Sequence, residues 1–146
     1  MISFKQFFME KLIVGLEEIL TLDGIGPIKS KLDSGNGAFN VLHGEDIESD
    51  GKIVRFTTEG GISVEKELKD TITINLGAGN KEERPVVLFD VKFGNKLFKD
   101  VPFSIGNRSE NAHKILVGKN FIAQNLNALI DVSLVDVASK NIEVNV

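Results

Sequence analysis

The chain has 146 residues, 42% of them apolar, with 17 basic and 21 acidic side chains for a net charge of −4. That length suits a single domain over residues 1–146 with a hydrophobic core of its own. The absence of cysteine excludes disulfides, thiolate nucleophiles and Cys-ligated metals, and scattered basic residues with neither Tyr nor Trp offer no stripe for nucleic acid.

Residues 1–12 are expected as a helical extension, with Phe4, Phe7 and Phe8 on one side. Lys5, Glu10 and Lys11 interrupt this apolar run, so it reads as neither a signal peptide nor a membrane anchor, and no apolar window reaches the length of a span. A cytoplasmic chain without membrane contact is the expectation. IVGLEEILTL (13–22) and the segment 27–32 then read as a hairpin across the turn-rich DGIGP at 23–27. AFNVLHGEDI (38–47) is a third strand, and KIVRFTT (52–58) turns at Glu59-Gly60-Gly61 into ISVEKEL. TITINL (71–76) alternates, and residues 84–106 read as two strands joined at Gly94-Asn95. Helical spacing is confined to KNFIAQNLN (119–127), after which ALIDVSLVDVA alternates again. The pattern predicts a mostly-β, barrel-like or sandwich domain with one short helix in its C-terminal half.

KLDSGNGAFNVLH (31–43) holds the densest chemistry. His43 and His113 lie far apart in a chain without an HExxH pattern, so no dedicated metal site is expected, and no other cofactor. Gly24-Ile25-Gly26 runs into a proline and a strand, which leaves no helix end to receive phosphate. Ser34 lacks the G-x-S-x-G elbow of a serine nucleophile. Asp33 remains. It follows an apolar strand end, Ser34 can brace the bend beneath it, and Gly35 leaves room above its carboxylate. Farther on, the apolar run 115–117 meets Gly118, which permits another backbone to pass close by.

Asp33-Ser34-Gly35, ILVG at 115–118 and the helix after it together resemble the pepsin-like and retroviral aspartic proteases. More particularly, the chain resembles the retropepsin-like group labelled ATP-dependent zinc proteases, over about residues 12–136. The match takes in Val14-Gly15 and the run from Lys29 through Asn36, with His43 after it. It continues through Glu83-Arg84-Pro85-Val86, Asn107-Arg108-Ser109, Leu116-Val117-Gly118-Lys119 and Ile130-Asp131-Val132. Asn36 stands where the family has alanine, Lys119 where it has arginine, and the spacing to His43 is one residue longer.

The resemblance implies a closed barrel of the acid-protease type and paired-aspartate chemistry. Because the chain carries one Asp-Ser-Gly, two carboxylates require a symmetric homodimer in which Asp33 meets its own copy. Ser34 would then brace the partner loop, with Asn36 and Gly118 supporting it. The segment 57–65, tipped by Gly60 and Gly61, is the candidate flap over a polypeptide substrate bound as an added strand. Arg84, Arg108 and Lys119 are candidate carboxylate partners, and Arg108 or Lys119 are candidates to read acidic substrate groups. Asp131 is expected near the core and Asp136 toward solvent. The alternatives are an inactive scaffold of the same fold that binds peptide or serves structure, and metal-assisted hydrolysis.

Overall fold

A computed structural model describes residues 11–37 and 39–141. The helical extension expected over 1–12 lies outside these residues except at its end, where Leu12 already belongs to the first strand. Eleven strands follow: β1 (Leu12–Leu22), β2 (Gly26–Leu32), β3 (Asn40–His43), β4 (Glu45–Ser49), β5 (Ile53–Thr58), β6 (Ile62–Glu67), β7 (Asp70–Gly77), β8 (Asn80–Phe93), β9 (Lys96–Gly106), β10 (Ile115–Val117) and β11 (Ala128–Val135). The fold is mostly β. Among the described residues its helical pieces are a 3-10 turn at Glu59–Gly61, a π-helical turn at Phe121–Asn125 and a closing α-helix at Ala138–Asn141. No helix among the described residues is long and apolar enough to cross a membrane.

One sheet holds eight strands in the order β11-β1-β2-β10-β3-β9-β8-β7, and β1 also pairs with β8 at Thr21–Lys92 and Leu22–Val91. The second sheet is the three-stranded β4-β5-β6. Alternation decides which faces turn inward. In β1, Val14, Leu20 and Leu22 are buried; in β8, Val87, Phe89, Val91 and Phe93 are. These residues join Leu32, Leu42, Phe103, Ile105 and Ile115 in one core, where Phe89 meets Phe103 edge-on with ring centroids 5.7 Å apart. Each such side chain contributes about 2 kcal/mol on leaving water.

Two expected elements take another form. The strand predicted over 38–47 divides at Gly44, because the Gly44 N–H bonds to the Gly106 carbonyl at the end of β9 and the chain then crosses into the other sheet. All four residues of β3 are buried and all five of β4 are exposed. The helix predicted over 119–127 has at its centre a single widened turn, in which the Leu126 N–H reaches the Phe121 carbonyl at 2.9 Å. That turn keeps Phe121, Ile122 and Leu126 buried together, with Phe121 edge-on to Phe98.

Candidate active site

β10 runs between β2 and β3, parallel to the first and antiparallel to the second. This threading builds the Asp33 loop from below. Val117 pairs with Leu32, and its carbonyl accepts the Asp33 N–H at 3.0 Å. The loop then closes on itself. The Asn36 N–H bonds to the Asp33 carbonyl at 3.1 Å, and the Gly35 N–H donates to Asp33 Oδ1 at 2.9 Å. Such a side-chain turn is a habit of aspartate, and it orients the carboxylate without burying it. Asp33 is half-buried, while Ser34 and Gly35 are exposed.

Gly118 packs against the other side of the loop. Its N–H donates to Asn40 Oδ1 at 2.8 Å, and the Asn40 side chain that receives it is buried. Asn36 Nδ2 reaches the Phe39 carbonyl at 3.1 Å, so this side chain ties the loop toward β3. Asp33, Ser34, Gly35, Asn36 and Gly118, separated by up to 85 positions, therefore form one structure. Lys119 is exposed, and its N–H reaches the Asn36 carbonyl at 3.4 Å.

Arg108 lies within electrostatic reach of this loop's carboxylate. Its Nε donates to the His113 carbonyl at 2.9 Å, and its backbone N–H donates to His43 Nδ1 at 2.8 Å. Burial holds the guanidinium below its ordinary range, nearby Arg84 adds to this, and the Asp33 charge opposes it. Arg84 Nε pairs with Glu82 Oε2 at 2.7 Å, and its Nε and Cζ would lie 2.8 and 2.9 Å from a Cβ on Gly106. Two cations thus stand within electrostatic reach of one another, and Arg108 within reach of the carboxylate. Gly60 and Gly61 occupy the exposed tip of the β5–β6 hairpin, at φ +76° and +73°.

Several residues differ from expectation. His43, a polar residue in the strand predicted over 38–47, is buried at the end of β3 with 6% exposure. Asp131 is exposed rather than near the core, and its carboxylate accepts the Ser133 hydroxyl at 2.6 Å and the Ser133 N–H at 3.0 Å. These bonds hold its pKa below the usual range, the hydroxyl contributing most. Asp136, expected to face solvent, is drawn inward because its N–H bonds to the Glu17 carbonyl, and its Oδ1 is buried without a hydrogen-bond partner. Among the described residues, no group of three His, Asp or Glu side chains gathers at metal-binding distance.

Sequence reasoning missed Glu18. It is fully buried, and its carboxylate accepts the N–H of Gly15, Ala138 and Ser139 and the Ser139 hydroxyl, at 2.7 to 3.2 Å. Glu18 shares the inward phase of Val14, Leu20 and Leu22, and a carboxylate in that phase was the available signal.

A solved structure with related architecture is the crystal structure of a Legionella pneumophila protein of unknown function, DUF785. The chain is similar to it with a TM-score of 0.69 and 28% identity over 86% of this chain and 97% of that one. No protein-family model and no curated protein matches the chain. The likeness spans nearly all of both chains and concerns architecture, since the neighbour's own function is unknown.

Proposed function

We propose that the chain is an aspartic endopeptidase that acts as a homodimer, with Asp33 of each copy at the shared two-fold axis. One observation carries the reading: a half-exposed Asp33 in an Asp-Ser-Gly turn, braced from below by a strand that ends in Gly118 and passes between β2 and β3. The pairing of β1 with β8 supports a closed barrel of the retropepsin kind, because it returns the order β1-β2-β10-β3-β9-β8 to its start. The cysteine-free chain suits a reducing compartment such as the cytoplasm.

Two carboxylates about 3 Å apart do not ionise together, so the pair holds one proton. The ionised member takes a proton from water as the oxygen attacks the peptide carbonyl carbon. The protonated member gives its proton to the carbonyl oxygen. Collapse of the tetrahedral species then breaks the C–N bond, and the amine leaves with a proton from the pair. The Gly35 N–H holds the carboxylate in place, Ser34 braces the loop of the partner copy, and the β5–β6 hairpin covers the substrate strand.

Asp33→Asn tests the reading. With an unstructured polypeptide as substrate, wild-type protein is expected to cleave it, whereas Asp33→Asn is inactive with an unchanged circular-dichroism spectrum and unchanged dimer. Cleavage that persists in the purified variant would overturn the assignment. A stable, folded dimer inactive in both forms would point to the scaffold reading.

A further inference from the structure

A cavity of about 260 Å³ lies beneath the tip of the β5–β6 hairpin, bounded by His43, Glu45, Thr57, Glu59, Gly60 and Lys114 among others. His43 forms part of its buried wall, and its surroundings fix what it presents. The His43 N–H bonds to the Lys114 carbonyl at 2.8 Å, and the Thr58 hydroxyl donates to the His43 carbonyl at 2.6 Å. The Arg108 N–H points at Nδ1, and a backbone N–H only donates, so Nδ1 is an acceptor and the proton of the neutral ring sits on Nε2. The polar neighbour of Nε2 is Glu45 Oε1 at 3.4 Å, beyond the usual hydrogen-bond range. The buried ring thus lines the cavity, and its Nε2 N–H has in Glu45 Oε1 a neighbour too distant for a strong hydrogen bond.

The remaining groups restrict what that N–H receives. Lys114 Nζ already donates to the carbonyls of Arg108, Ser109 and Asn111 at 2.9 to 3.2 Å. The carboxylates of Glu45 and Glu59 stand at the exposed side of the cavity. A ligand carboxylate there meets two like charges, and a ligand ammonium meets Lys114 and the His43 N–H. A carboxamide meets neither conflict: its oxygen accepts from His43 Nε2, and its NH2 donates to Glu45.

We infer that the cavity between His43 and the β5–β6 hairpin is a subsite for a side-chain carboxamide, as in glutamine or asparagine, of a bound polypeptide. This rests on the reading of the hairpin as a flap over a polypeptide substrate. Arg108 connects the two places, since its N–H holds His43 while its guanidinium lies within electrostatic reach of Asp33.

The test uses full-length Asp33→Asn protein, so that binding is read apart from turnover. N-acetylglutamine methylamide is titrated while the His43 ring nitrogens are followed by NMR, beside the glutamate and lysine analogues. The glutamine probe is expected to shift Nε2 saturably, with the other two about tenfold weaker or more. His43→Asn keeps an acceptor for the Arg108 N–H but removes the deep donor, and affinity measured calorimetrically is expected to fall about tenfold. Should that variant not fold, Glu45→Ala removes the exposed acceptor instead and is expected to narrow the preference for glutamine over glutamate. Equal response to all three probes, or unchanged affinity and preference in every folded variant, overturns the subsite. Peptide cleavage without carboxamide preference rejects the subsite alone, and carboxamide binding without cleavage by wild type rejects the peptidase alone.

Discussion

A Cβ on residue 118 would lie 2.7 Å from the Gly37 carbonyl oxygen and 3.1 Å from that of Phe39. Both are backbone atoms, so relief requires the Asp33 loop to move. Gly118→Ala is expected to cost about 2 kcal/mol in urea unfolding and to shift the Gly35 amide resonance, which reports the bond to Asp33 Oδ1. At Glu18 the risk is opposite, since removing the carboxylate strands its buried donors. Glu18→Ala is expected to lose about 3 kcal/mol, with the closing helix Ala138–Asn141 released first in hydrogen exchange. Glu17 adds a pH dependence. Its bond to His113 Nε2 at 2.6 Å, followed by contact with Lys29, holds its pKa below the ordinary value. A carboxyl depressed in the folded state stabilises above its unfolded pKa, and that contribution disappears as pH falls through the folded value. Wild type is therefore expected to lose more stability than Glu17→Gln below about pH 4, as thermal unfolding at successive pH values would show.

Among the elements, β10 is the shortest strand and has the largest consequence. Its three residues supply the floor of the Asp33 loop, hydrogen-bond to β2 and β3, and bury Ile115 and Val117. A run of ILVG reads as a strand in any sequence, but its insertion between two strands consecutive in the chain depends on partners more than 70 positions away. The hairpin β5–β6 shows the reverse balance. Its strands pair in register from Ile53–Glu67 to Thr58–Ile62, and the tip at Gly60 and Gly61 was readable from the glycines themselves. Gly60→Ala places a side chain at φ +76° and costs about 1 kcal/mol. If the hairpin closes over substrate, that variant is expected to lower peptide kcat/KM while leaving the dimer and the circular-dichroism spectrum unchanged.

On the scale of the whole molecule, one Asp-Ser-Gly per chain makes the proposed reaction a property of two chains. Activity is then expected to fall on dilution more steeply than in proportion to protein, with a midpoint that matches dimer dissociation by sedimentation. Activity proportional to concentration through that range would place the whole reaction centre within one subunit.

The sequence by itself determined the mostly-β class and most strand positions through apolar alternation, the hairpin tip through its glycines, and the singling out of Asp33 through turn chemistry and the exclusion of other chemistries, because each of these is local. Tertiary structure alone decided that Gly44 sends one apparent strand into two sheets, that Glu18 anchors the closing helix, and that His43 is buried against Arg108. Each depends on a hydrogen bond or a close approach between residues far apart in the chain. A one-dimensional pattern records how often an apolar residue recurs, and it carries no term for which distant backbone group will meet it.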